Sequence, residues 1–159
     1  MKKSYKKIVN TFRKVVCTLN RIGVEPVIYG SLGLHLLTGK NVKINDIDFL
    51  LQDSDFDRKW DDIKTILEAD YCKLDPKHKQ EFKCQDLFVS FLKIKDVSQL
   101  TKINFSRLKK YRYGGGIYRN LNPKQYLDFY EKRSKKRNNS KIKRKKDLEK
   151  IELIKNYLS

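Results

Sequence analysis

"VIYGSLGLHLLTGKNVKINDIDFLL", residues 27–51, joins an apolar run, a Gly-Ser step, a short helical stretch and two acids one residue apart. After Pro26, Val27-Ile28-Tyr29 reads as a short buried strand and Gly30-Ser31 as a turn. Ser31 is placed to cap a helix from Leu32 to Thr38, which Gly39 ends, and Lys40 to Asn45 form a polar connection. Asp46 to Leu51 read as a second strand. Side chains alternate across a strand, so Asp46 and Asp48 share one face, about 7 Å apart, while Ile47 and Phe49 take the other. A lone carboxylate in apolar surroundings is costly. Two that close raise each other's proton affinity unless a cation sits between them.

The same patterning extends outward. Tyr5, Ile8, Val9, Phe12, Val15, Val16 and Leu19 recur at helical spacing over 4–22, with Gly23 as a C-terminal cap. A helix over Phe56–Ala69 turns Trp60, Ile63, Ile66 and Leu67 inward. Gln80–Cys84 and Leu87–Ile94 form a hairpin around Gln85-Asp86, and 97–108 has no clear period. Gly114-Gly115-Gly116 join extended segments. Asn122 caps a helix that has Pro123 in its first turn. A last helix over Lys143–Leu158 points Leu148, Ile151, Ile154 and Leu158 toward the body. This is one α/β (α+β) unit, a small mixed β-sheet flanked by helices. It divides into a core over 1–110 and a basic C-terminal helical extension over 111–159, packed on the same domain.

The 159 residues carry 37 Lys and Arg against 19 Asp and Glu, a net charge of +18. Such a field favours polyanions, nucleotides and RNA before membranes, and disfavours a strongly cationic substrate. A lysine-rich composition alone is the competing explanation. No apolar run is long enough to span a membrane, and the interrupted N-terminus is an amphipathic helix rather than a leader. Cys17, Cys72 and Cys84, odd in number and without CxxC spacing, predict neither a disulfide framework nor a zinc site, and suit a cytoplasmic protein. Residues 132–146, KRSKKRNNSKIKRKK, hold ten basic residues in fifteen. They read as a solvated run or a phosphate-binding arm, with Lys143, Arg144, Lys145 and Lys146 as nucleic-acid contacts. Tyr111, Tyr113 and Tyr118, interleaved with Lys109, Lys110, Arg112 and Arg119, either stack bases or form an edge strand. His35 reads as a hydrogen-bonded helical histidine and His78 as exposed.

Two carboxylates on one face are an oxygen-ligand set for Mg2+ or Mn2+, which share their shell with substrate phosphates. The backbone N–H groups at Gly30-Ser31, opening a helix, suit a phosphate. Lys40 and Lys43, just before the acidic strand, are placed to touch a triphosphate. The pattern Tyr29-Gly30-Ser31, fourteen intervening residues, then Asp46-Ile47-Asp48-Phe49 resembles the minimal nucleotidyltransferases of the DNA polymerase β superfamily. The resemblance is strong over about 25 residues and looser over 4–94, with a gap at the long end of the family's range. It implies a nucleotidyltransferase fold and transfer of a nucleoside monophosphate from a nucleoside triphosphate to an acceptor. Asp46 and Asp48 would hold the metal, and Gly30 and Ser31 the β- and γ-phosphates. The basic segments suggest RNA, such as tRNA, as acceptor. The family carries a third carboxylate on a neighbouring strand. Here that position, between Val89 and Phe91, is Ser90, with Asp86 expected to substitute and Glu81 the other candidate. Two rival readings follow from the same residues. One is a degenerate RNA- or protein-binding module; the other is a small-molecule nucleotidyltransferase of the antibiotic-resistance kind.

Overall fold

A computed structural model describes residues 2–137 and 140–159, so Asn138 and Asn139 of the basic run lie outside the described residues. The elements run α1 (Lys2–Arg21), β1 (Val27–Tyr29), α2 (Gly30–Thr38), β2 (Ile47–Leu51), α3 (Asp53–Asp70), β3 (Cys72–Leu74), β4 (Glu81–Cys84) and β5 (Leu87–Lys93). They continue with β6 (Lys109–Tyr113), β7 (Gly116–Asn120), α4 (Pro123–Lys136) and α5 (Lys141–Leu158). The strands form one mixed sheet in the order β3-β4-β5-β2-β1-β7-β6. β2 lies between antiparallel β1 and parallel β5, and β1 also pairs in parallel with β7. The expected mixed sheet flanked by helices is therefore present. A division after residue 110 would cut β6, whose partner β7 is hydrogen-bonded to β1.

Period-2 alternation gives the sheet two chemically different faces. Ile28, Ile47, Phe49, Leu51, Phe82, Val89 and Phe91 pack against Phe12, Val15, Val16 and Leu19 of α1 and Ile63 and Leu67 of α3. Val27, Tyr29 and Leu50 turn the other way and meet Tyr126, Phe129 and Tyr130 of α4 and Ile151 and Ile154 of α5. Asn122 caps α4 as expected, in a reciprocal capping box with Gln125. This ties the start of the helix to the end of β7.

Several expectations are corrected. The structure pairs Cys72 and Cys84 in a disulfide, because the register of β3 and β4 sets these two buried residues opposite each other. Spacing alone could not show that strand β3 exists. α2 begins at Gly30, so Ser31 lies in its first turn rather than at its cap. On α5, Leu148 and Leu158 are exposed, whereas Asp147, Ile151 and Ile154 are buried. Asp147 takes the inward place because Arg133 and Arg137 of α4 neutralise it there. Tyr5, expected on the apolar face of α1, is exposed. No helix among the described residues is long and apolar enough to cross a membrane.

Candidate functional site

Asp48 is the second residue of β2 and sits in register with Tyr29 of β1 and Ser90 of β5. Directly paired residues on neighbouring strands face the same way, so all three share the face covered by α4 and α5. The Ser90 hydroxyl donates to Asp48 Oδ1 at 2.8 Å. Gly30, at φ +71°, brings the opening turn of α2 directly against the Asp48 carboxylate. A Cβ there would stand 2.6 Å from Asp48 Oδ2. Only glycine tolerates both the backbone angle and that approach. No side chain caps α2, so its first N–H groups, from Gly30, Ser31 and Leu32, stay unbonded within the helix beside the acid.

Asp46 ends the polar connection just before β2 and is exposed as a residue, while Asp48 is half-buried. Burial first, and then the charge of Asp46, pushes the Asp48 carboxyl up to about 6, against the Ser90 hydrogen bond and the charges of Arg133 and Lys150. The protein around Asp46 raises its pKa too, opposed by Lys150, by its own backbone N–H and by Arg133 and Lys146. Both acids therefore sit where added negative charge is disfavoured and a cation would be welcomed.

The compensating charges come from the C-terminal helices. The Tyr29 ring meets Phe129 edge-on at 5.8 Å. The Arg133 guanidinium lies over Phe129 at 4.8 Å and over Tyr130 at 5.1 Å. The Lys150 ammonium lies 5.1 Å from the same Tyr130 ring. Fully buried Asp147 accepts from Arg133 at 2.8 Å and from Arg137 at 3.4 Å. Sequence reasoning missed Arg133 and Lys150 as site residues. The signal was the stripe Asp147, Ile151, Ile154, which brings Lys150 alongside it; reading Leu148 as the inward residue turned the helix the wrong way.

Other expected residues are placed differently. Asp86 sits at the exposed turn between β4 and β5, ion-paired at 2.6 Å to Lys7 of α1, whose apolar residues cover the opposite face. It does not join Asp46 and Asp48. Glu81 is in register with Ser90, one strand further along the row that holds Asp48. Its carboxylate clusters with Asp75 and His78, with ligand atoms within 4.8 Å of one another. Lys40 and Lys43 are exposed on the connection that leads to Asp46. Lys143, Arg144, Lys145 and Lys146 are exposed on the first turns of α5, within the helix expected from Lys143 onward. His35 bonds the Lys40 carbonyl at 2.7 Å and the Tyr5 hydroxyl at 2.9 Å, as expected of a structural histidine. His78 is exposed and bonded to Asp75.

The fold is that of the nucleotidyltransferases. An antigenic nucleotidyltransferase-like protein from Paracoccidioides brasiliensis superposes with a TM-score of 0.68 at 16% identity, over 93% of this chain and 75% of that one. The antibiotic-resistance factor ANT(2'')-Ia superposes in solution with a TM-score of 0.63 at 11% identity, over 100% and 86%. Its complex with adenylyl-2''-tobramycin gives 0.59 at 10%, over 97% and 90%. In sequence, the chain is 29% identical over 149 residues to the uncharacterized protein YnaI of Bacillus subtilis (strain 168), covering 93% of this chain and 96% of YnaI. No family model matches the chain.

Proposed function

We propose that the chain is a metal-dependent nucleotidyltransferase, moving a nucleoside monophosphate from a nucleoside triphosphate to an acceptor hydroxyl, with RNA as the acceptor class. The single observation that carries the reading is the contact of Gly30 with the Asp48 carboxylate. It joins a phosphate-cradling helix start to an acid pair with no room between them. A pure scaffold has no need to keep a half-buried carboxylate beside a second one.

The residues present fit Mg2+ or Mn2+. The acid pair offers only hard oxygen donors; burial raises the pKa of both acids, and the charge of Asp46 raises that of Asp48 further. Asp46 and Asp48 would hold the ion. When bound, it supplies charge neutralisation at the triphosphate and orients the phosphorus that is attacked. Gly30 and Ser31 bind the β- and γ-phosphates through backbone N–H groups at the positive end of α2. Ser90 orients Asp48 through its hydroxyl. Lys40 and Lys43 reach the triphosphate from the connection. RNA is supported by the net charge of +18 and by exposed Lys143, Arg144, Lys145 and Lys146. That same charge disfavours a cationic drug as acceptor. A location in the cytoplasm suits this substrate.

A second reading is favoured by Ser90, which stands where the family carries its third carboxylate. In that reading the fold binds triphosphate and RNA without turnover. Incubation with each labelled triphosphate, magnesium and total RNA, with Asp48→Asn as control, separates the two. Labelled RNA that depends on Asp48 supports transfer. Triphosphate-induced stabilisation without labelled RNA supports the binder. Neither transfer nor stabilisation would overturn both.

A further inference from the structure

Lys150 is a half-buried lysine with no ion-pair partner among the described residues. Its neighbours on α4 are Tyr130, under its ammonium, and the cations Arg133 and Arg137; on its own helix, Asp147 is already shared by both arginines. Asp48 of β2 and Asp46 just before it lie within electrostatic reach of it. Three cations, Lys150, Arg133 and Arg137, against the single carboxylate Asp147, which the two arginines share, leave an excess of positive charge on the side of the acid pair. Evolving such a cluster for stability alone is unfavourable, since like charges in a desolvated place repel.

We propose that Lys150 and Arg133 form the polyphosphate end of the site, binding the β- and γ-phosphates of the nucleoside triphosphate whose metal Asp46 and Asp48 would hold. The inference rests on the reading above and adds to it the charged groups opposite the α2 backbone. Arg133 is fixed by its bond to Asp147, so it meets the phosphates with little loss of freedom. Lys150, flexible and without an acid of its own, closes on them. Burial first, and then Arg133, lowers the Lys150 ammonium to about 8. A docked polyphosphate reverses that balance, so Lys150 takes up a proton when the ligand binds above pH 8.

Calorimetric titration at pH 8.5, in two buffers of different ionisation enthalpy, tests this with ATP, CTP, GTP and UTP, each with magnesium, and with AMP as control. The wild type should bind at least one triphosphate with uptake of a fraction of a proton per site, and AMP without uptake. Lys150→Met should weaken the triphosphate roughly ten- to a hundredfold and abolish the uptake. It should melt no earlier than the wild type without ligand, because a crowded cation is gone. Lys150→Arg should keep most of the affinity and still abolish the uptake. Triphosphate binding that Asp48→Asn destroys, but that Lys150→Met leaves unchanged in affinity and protons, would overturn this inference and leave the acid-pair reading standing. A wild type that binds no magnesium triphosphate would overturn both.

Discussion

The two faces of the sheet are stabilised by different physics. The face under α1 and α3 is closed by aromatic packing: Phe49 stacks between Phe12 at 5.8 Å and Phe91 at 5.5 Å, and Trp60 stacks on Phe56 at 4.6 Å. The face under α4 and α5 buries Tyr29, Leu50 and Ile154 in the same manner, but surrounds them with Asp48, Asp147, Arg133 and Lys150. Apolar burial scales with the area removed from water and does not titrate. Buried charge must be matched group by group. The first face therefore serves as the rigid support, and the second carries groups whose balance a ligand can shift.

The largest effects should come from removing the main support on each face. Phe49→Ala, at a fully buried stacked position, should cost about 3–5 kcal/mol in denaturant unfolding with little salt dependence. Asp147→Ala should cost a similar amount, about 3–5 kcal/mol, because it strands Arg133 and Arg137 without their carboxylate. The two should part in their rescue. Added anions such as phosphate should restore part of the Asp147→Ala loss beyond the general stabilisation that wild type and Phe49→Ala share. An equal response to anions would break the distinction between the faces.

The apolar face was the more legible one in sequence. Phe12, Val15, Val16, Leu19, Ile63 and Leu67 follow the helical period, and Ile47 and Phe49 alternate with their neighbours, so their inward direction could be read from local spacing alone. The strand-turn-helix-strand order around Gly30, Asp46 and Asp48 was legible for the same reason. The charged face was not. Asp147 is inward only because α4 supplies Arg133 and Arg137, a long-range fact that no local period carries. Asp86 looked like a substitute carboxylate because it lies four residues before Ser90. The turn it occupies, however, ends β4 and hands it to Lys7. The disulfide escaped for a similar reason, since β3 is three residues long and is defined mainly by its pairing with β4.

Smaller effects should appear at the junction of α2 and the acid pair. Gly30→Ala should destabilise by about 1–3 kcal/mol, from its left-handed backbone and the collision with Asp48. It should also lose the rise in Tm that magnesium triphosphate gives the wild type. Asp48→Asn should do the opposite to the metal-free protein. With chelator present at pH 7, removing a desolvated charge beside Asp46 should stabilise by about 1–3 kcal/mol, while the ligand-induced rise disappears. The pH dependence fixes the sign. A carboxyl whose folded pKa is raised to about 6 contributes stability that is full below its unfolded pKa near ~3.9. That contribution is lost as pH climbs through about 6. The gap between Asp48→Asn and wild type should therefore open between these two values in urea unfolding curves. A gap that widened toward acid instead would contradict the burial of a charged Asp48.

The smallest effect should come from Asp86→Asn, and its smallness is informative. Asp86 is well exposed, and its pairing with Lys7 lowers its pKa by a hydrogen bond on the surface. Exposed pairs of this kind contribute little, and salt screens them. Tm should therefore stay within measurement error of the wild type's in moderate salt. The same holds for the site, because α1 and not the acid pair receives this carboxylate. The magnesium triphosphate response and any transfer to RNA should match the wild type. Ser90→Asp is the companion variant, since it sets a third carboxylate directly beside Asp48 in the parallel register. It should destabilise the metal-free protein by like-charge repulsion and recover when magnesium and triphosphate are added. Transfer that collapsed in Asp86→Asn while Ser90→Asp failed to recover with magnesium would move the third acid to the turn of β4 and β5, and the two-faced account of the sheet would fail with it.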